Sequence, residues 1–250
     1  MTEIPDVTAC VIVIGNEVLS GRTPDANLNY LAKGLNRIGI RLMEARVIPD
    51  DEATIVATVN QCRAAFDYVF TTGGIGPTHD DITAAAIAKA FGLKLERNEE
   101  ALARLRRHYT KPGDLTEARL KMSEMPVGAQ LIDNPVSTVP GFQIGNVLVL
   151  AGVPAIMQAM FDGVQHRLKT GTPMLSRTVT CGLGEGILAA GLTAIQDQFA
   201  DVEIGSYPFF RMRRLGVSIV LRATDAERLA AATAAVKALM QSLGDEPAEE

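Results

Sequence analysis

Residues 8–14 read Thr-Ala-Cys-Val-Ile-Val-Ile. A run this apolar leaves no face for water. It suits a strand covered on both sides, which is the situation in a parallel sheet packed between helices. The following sequence keeps the alternation that such a sheet needs. Thr23 and Pro24 offer an N-cap and a first helical position. Leu28, Leu31, Leu35 and Ile38 then fall on one helical face, and Gly39 ends it. Ile40–Ile48 reads as a second strand. Asp50 or Asp51 caps a helix with the stripe Ile55, Val59, Cys62 and Phe66. Tyr68–Thr72 is a third strand, followed by a helix to about Phe91 that Gly92 stops. Asn98 opens an Arg-rich helix. Residues 142–150 read as a hairpin turning at Gly145-Asn146, and Pro154 opens a helix striped by Met157, Met160, Val164 and Leu168. The expected fold class is α/β, a three-layer α/β/α arrangement around a mostly parallel sheet.

Lys169–Pro173 reads as a linker, which predicts domains at 1–170 and 171–250. The second is expected to be a small α/β subdomain. Its strands lie near 177–181, 202–205 and 215–222, with helices near 185–199 and 225–243. Thr224-x-x-Glu227 reads as a capping box for the last helix, whose stripe is Leu229, Ala232, Val236, Leu239 and Leu243. The acidic tail, residues 245–250, is expected to fray.

The charge balance narrows the function. A net charge of −5 argues against a general nucleic-acid binder, which needs a basic excess to meet phosphate. No apolar run approaches the roughly 18–20 residues that span a bilayer, and residues 1–6 carry no signal pattern. The expectation is a cytoplasmic protein with no nucleic-acid or membrane partner. Cys10, Cys62 and Cys181 are widely spaced with no C-x-x-C, so they read as buried free thiols rather than a disulfide framework or zinc site.

Residues 71–83, T-T-G-G-I-G-P-T-H-D-D-I-T, lie between a strand and a helix. Ligands of open parallel sheets bind outside the carboxyl ends of strands. Gly73, Gly74 and Gly76 let a ligand approach main-chain N–H groups, with Thr72 and Thr78 beside them. Thr78-x-x-Asp81 reads as a helix start, whose free donors favour an anion. Asp80 and Asp81 would repel a bare phosphate but suit a divalent cation lying between. A plain Gly-rich turn with Asp81 capping the helix is the competing reading. No Gly-Lys-Ser/Thr follows, so this is not a Walker loop, and the third glycine of a dinucleotide fingerprint is absent. A second cluster, Gly15–Gly21 with Asp25 and Asn27, follows the first strand and opens on the same sheet edge. Glu17, Asp25 and Asn27 either reach the same site or only stabilise the first helical turn.

Together, residues 15–27 and 71–83 resemble the molybdopterin-binding domain shared by molybdenum-cofactor biosynthesis proteins (the MoaB/Mog-like fold) and the amino-terminal part of CinA. The T-H-D-D-I-T form is similar to the CinA branch. So are Asn134-Pro-Val-Ser-Thr-Val-Pro-Gly-Phe142, Gly152-Val-Pro154 with Met157, Gly184-Glu185 and Gly205-Ser-Tyr-Pro208. The likeness stops short of the amidohydrolase domain that CinA proteins often add, so no deamidase activity is carried over. The resemblance implies a nucleotide or pterin ligand. For CinA modules it implies a metal-dependent pyrophosphatase acting on ADP-ribose or a similar dinucleotide such as FAD, and for the molybdenum-cofactor branch, binding of molybdopterin without hydrolysis.

On the enzyme reading, Glu17, Asp80 and Asp81 are catalytic, and with Asp25 they hold a divalent Mg, Mn or Co ion. Thr72, Gly73, Gly74, Gly76, Thr78, Asn27, Asn134, Thr138 and Gly152 bind ligand. Three departures weaken hydrolysis: Asn16 where Asp is common, Ser137 where Gly is common, and Ile156 where Glu is common. His79 is a candidate phosphate contact or acid, or else a solvent-exposed residue of the first helical turn. His108, His166, the basic run Arg104–Lys111 and Arg211, Arg213 and Arg214 read as solvated surface. Ala231, Ala235 and Ala238 on the last helix allow close approach, which predicts a homo-oligomer.

Overall fold

The computed structural model describes residues 7–211 and 214–249, so Met1–Asp6 and Arg213, read above, lie outside the described residues. The chain divides into two compact units, Met1–Gly171 and Thr172–Glu250.

The first unit opens with β1 (Val7–Ile14), a short turn of helix α1 (Asn16–Leu19), α2 (Asn27–Arg37) and β2 (Ile40–Ile48). Next come α3 (Glu52–Ala65), β3 (Tyr68–Thr72), α4 (Thr83–Phe91), β4 (Leu95–Arg97), α5 (Glu99–His108), α6 (Glu117–Lys121), β5 (Glu124–Pro126) and β6 (Gln130–Ile132). The hairpin β7 (Gly141–Ile144) and β8 (Val147–Leu150) leads into α7 (Pro154–Val164). The main sheet has the order β2-β1-β3-β8-β7-β6. β2, β1, β3 and β8 run parallel; β7 pairs antiparallel with both β8 and β6, so it alone runs against the rest. Residues of β1 alternate between two cores. Ala9, Val11 and Val13 meet Leu31 and Leu35 of α2 and Met157, Met160 and Phe161 of α7. Cys10, Ile12 and Ile14 meet Ile55 and Val59 of α3 and Ala86 and Ile87 of α4. The uninterrupted apolar run of β1 is thus the signature of the middle layer of three.

The second unit contains β9 (Leu175–Cys181), α8 (Glu185–Gln198), β10 (Glu203–Arg211), β11 (Arg214–Ala223), α9 (Ala226–Ser242) and β12 (Ala248–Glu249). Its sheet, in the order β10-β11-β9-β12, is antiparallel. Leu188 and Ile195 of α8 and Leu229, Ala232, Val236 and Met240 of α9 pack with Val179, Val217, Ile219 and Leu221 of the strands.

The structure corrects several local expectations. The first long helix begins at Asn27, not at Thr23-Pro24, because residues 20–26 form a loop whose Thr23 N–H is held by Glu17 O at 3.1 Å. Thr78-x-x-Asp81 closes a turn rather than starting a helix: α4 begins at Thr83, with Ile82 at its cap. Asp225, not Thr224, caps α9 by accepting the N–H groups of Glu227 and Arg228. The stripe of α9 ends on buried Met240, and Leu243 is 39% exposed. The tail does not fray throughout, since Ala248 and Glu249 pair with β9.

Candidate functional site

β1 has β2 on one side and β3 on the other. The chain therefore leaves β1 and β3 in opposite senses, and a crevice opens at their carboxyl ends. Gly73 sits there at φ 104, and a Cβ on it would lie 2.2 Å from the carbonyl oxygen of Ile14. Only glycine lets β3 exit so close to the end of β1. A Cβ on Gly152, just past β8, would come within 3.2 Å of Gly73 Cα. Thr83 fastens the loop to α4: its hydroxyl donates to Gly73 O and its N–H to Gly74 O, each at 3.0 Å.

The result is a cleft of about 590 Å³. Gly73, Gly74, Gly76, Thr78, Asp80 and Asp81 of the loop after β3 line it, together with Glu17 and Asp50. The rest is largely apolar or aromatic, including Tyr109, Met122, Val139, Val153 and Ile156. Within the loop, Asp81 Oδ2 accepts the Thr78 N–H at 2.8 Å, and the Thr78 hydroxyl lies within 2.5 Å of both Asp80 and Asp81. The Thr78 hydrogen bond holds the Asp80 carboxyl below the usual carboxylate range, with smaller contributions from His79 and Lys121. Lys121 Nζ donates to Thr78 O at 3.0 Å. Asp50 Oδ2 accepts the Asn16 N–H at 2.8 Å, tying the ends of β1 and β2 together.

Of the residues expected at one site, Glu17, Gly73, Gly74, Gly76, Thr78, Asp80, Asp81, Asn134 and Gly152 all line this cleft. Asn134, however, is an organiser of its own loop. Its Oδ1 accepts the N–H groups of Val136 and Ser137, and its Nδ2 donates to Ser137 Oγ and Val139 O. Thr138 is absent from the cleft wall. It holds φ 68, and its hydroxyl meets His108 Nδ1 at 3.2 Å. Asp25, Asn27 and Thr72 line an adjoining smaller cavity instead. Asp25 accepts the Leu28 N–H at 2.8 Å, the local helix-stabilising role left open above. The four carboxylates expected to share an ion are not gathered: among the described residues, no three His, Cys, Asp or Glu side chains are placed to hold one. The His79 side chain is 99% exposed.

Asp50, read as a possible helix cap, leaves that role to Asp51 and lines the cleft, as do His108, read as solvated surface, and Tyr109, which sequence reasoning passed over. Asp50 was accessible in principle, because the loop after a second parallel strand must open on the same edge. His108 and Tyr109 had no such signal. They end α5, far from the sheet edge in sequence, and tertiary packing brings them over the cleft. The two rings meet edge to face at 4.8 Å, and Arg119 lies 4.3 Å from the Tyr109 ring centroid.

A crevice at a strand-order reversal, walled by a Gly-rich loop, defines an α/β small-molecule-binding domain. Residues 10–170 match the family described as "Probable molybdopterin binding domain", and residues 173–245 match "FAD synthase, middle domain". The chain belongs to the molybdopterin-binding-domain family, in the branch that includes the CinA amino-terminal module. The solved structure of a CinA of unknown function from Thermoplasma acidophilum is 35% identical and covers 65% of this chain and 99% of its own, with a TM-score of 0.61. A protein of Pyrobaculum calidifontis is 40% identical over 211 residues, 80% of each chain. A "Probable FAD synthase" of Caenorhabditis elegans is 33% identical over 258 residues, covering 93% of this chain but 50% of its own length, so the chain spans half of that relative. Among the described residues, no helix is long and apolar enough to cross a membrane.

Proposed function

We propose that the cleft binds a phosphorylated molecule carrying a fused nitrogen heterocycle, a nucleotide or a pterin. The observation that carries this reading is the division of the cleft. Main-chain N–H groups at Gly74–Gly76 offer donors to phosphate, and Tyr109, Met122, Val139, Val153 and Ile156 offer an apolar surface to a ring. The family description that matches residues 10–170, the unit that holds the cleft, supports this chemistry.

A second reading, cleavage of a diphosphate, is favoured by the position of Glu17, Asp80 and Asp81 on one cleft. These are hard oxygen donors, the type that suits Mg, Mn or Co. Because no three carboxylates converge, phosphate oxygens of the substrate and water would have to complete the coordination, as is usual for Mg. A bound ion would neutralise the diphosphate and lower the pKa of an attacking water. The protein's own part would be to hold the phosphates on the Gly74–Gly76 main chain and to keep Asp80 ionised through Thr78. Ile156 in the wall supplies no ligand or base, which favours binding over turnover.

Calorimetry with ADP-ribose, FAD, NAD and a pterin phosphate, with and without Mg, Mn or Co, tests both. Binding of none of them defeats the first reading. Release of AMP establishes the second, and binding without turnover under every metal ends it. Asp80→Asn and Asp81→Asn are expected to weaken metal-dependent binding at least tenfold and leave the circular dichroism spectrum unchanged. Equal affinity in both variants and the parent removes the ion from the reading.

A further inference from the structure

Ser137 is half-buried and lines the cleft. The loop that carries it is built around the buried Asn134. Asn134 Oδ1 accepts the N–H groups of Val136 and Ser137, each at 3.0 Å, and its Nδ2 donates to Val139 O at 2.8 Å. These main-chain partners fix which end of the amide is the oxygen. Nδ2 also donates to Ser137 Oγ, at 2.7 Å. An amide nitrogen can only donate, so Ser137 Oγ is the acceptor in that bond and its own hydrogen lies elsewhere. Among the described residues no acceptor takes that hydrogen. The loop thus holds a hydroxyl on the cleft with a donor still to spend.

Its neighbours tell which part of a ligand it meets. Thr138 is at φ 68, a conformation rare for a β-branched residue. Its hydroxyl meets His108 Nδ1 at 3.2 Å, and it is left out of the cleft lining, whereas Ser137 and Val139 on either side of it belong to that lining. The same contact sets the loop against the end of α5, where Tyr109 follows His108. Ser137 is therefore grouped with Tyr109 and Val139, the surface offered to a ring, and not with the main chain of Gly74–Gly76.

We propose that Ser137 selects among ring systems: its hydroxyl donates to an acceptor on the bound heterocycle, a carbonyl oxygen or a ring nitrogen. This rests on the reading of the cleft as a nucleotide or pterin site. It adds to that reading a contact that discriminates between rings, and one that the glycine common at this position could not make. A site built to hydrogen-bond one ring rejects another that leaves the donor unpaired.

The test is calorimetry of the full chain with ADP, GDP, CDP, UDP and a pterin phosphate. Among the nucleotides the phosphates stay constant and the ring changes. Ser137→Ala is expected to weaken the best-bound probes about three- to tenfold, the worth of one hydrogen bond to a neutral acceptor. The weakest probes should be nearly unaffected, so the parent's ranking flattens. Asn134 keeps its main-chain bonds in this variant, which retains the loop. Ser137→Gly takes its place if it misfolds. Ser137→Thr, which restores a hydroxyl, should recover most of the loss. A parent that binds none of the probes defeats the reading of the cleft itself. Where the parent binds, three results overturn the present proposal. One is a Ser137→Ala protein with parental affinity for every probe. Another is an equal loss on all the nucleotides, which marks a phosphate or ribose contact. The third is a Ser137→Thr protein as weak as Ser137→Ala, which marks a role in loop shape alone.

Discussion

The two units cover their sheets differently. In the first, helices lie on both faces, and β1, β3 and β8 are buried almost throughout. In the second, the described helices pack into one core with the strands, and Tyr207, Phe210 and Leu215 of the β10–β11 hairpin are 51%, 68% and 74% exposed. A sheet sealed on both faces has no room for polar side chains in its middle. They collect where the strands end, and the reversal of strand order between the parallel β1 and β3 gathers them at one crevice. An antiparallel sheet with an open face carries no such requirement. The candidate site accordingly lies in the first unit.

The widest separation between the units is expected from one substitution made in each. Phe161 is fully buried, with ring contacts to Phe70 at 5.8 Å and Tyr30 at 6.3 Å. Phe161→Ala should cost about 3–5 kcal/mol. Phe210→Ala should change stability by no more than about 0.5 kcal/mol. Urea unfolding followed by circular dichroism measures both. A loss above about 2 kcal/mol at Phe210, well beyond the usual surface effect, would mean that its face is covered in solution, and the comparison would break.

A smaller separation is expected between two glycines. Gly73→Ala drives a Cβ to 2.2 Å from a backbone oxygen at φ 104, a strain of about 1–3 kcal/mol. Gly184 caps α8 in an ordinary extended conformation with no atom within 4 Å of a new Cβ, so Gly184→Ala should cost only a few tenths to about 1 kcal/mol. Gly73→Ala should also abolish ligand binding in the calorimetric assay. A Gly73→Ala protein with parental stability and affinity would show that β3 can leave the sheet by another path.

This contrast also marks what could be read in the sequence. The three-layer sheet was legible because both-face burial leaves a continuous apolar run, and β1 has one. The cleft wall at Gly73–Asp81 was legible because glycines and carboxylates follow a strand directly. The exact starts of α2 and α4 were not. Thr23-Pro24 and Thr78-x-x-Asp81 are sound helix-start patterns, but here the Thr23 backbone N–H and the Thr78 and Asp81 side chains are spent on turns within the loops. Asn27 and Thr72 were read as ligand contacts because they sit beside the motif. Their burial depends on α2 and Gly152 closing over them, which no local pattern encodes. His108 and Tyr109 escaped for the same reason.

The smallest effect expected concerns two exposed aspartates, one in each unit. Asp67 accepts from the Thr8 N–H at 2.8 Å and the Thr8 hydroxyl at 2.9 Å, lashing the start of β3 to β1. Those neutral donors, the backbone N–H foremost, lower its pKa. Asp201 is lowered mainly by its hydrogen bond with the Arg228 guanidinium. In both cases the folded protein favours the ionised form. The stabilisation is therefore complete above the unfolded carboxylate pKa of about 4 and is lost as pH falls through the lower folded value. Asp67→Asn and Asp201→Asn should each melt slightly below the parent at pH 7 and converge with it in acid. Salt should distinguish them. The Asp201 pair is an exposed ion pair that 1 M NaCl screens, whereas hydrogen bonds from neutral donors to Asp67 are little affected. Melting curves of the parent and both variants, at low and high salt across pH 2–7, make the comparison. Equal salt sensitivity at the two positions would show that Asp67 is held by charge, with Lys169 as its partner, rather than by Thr8.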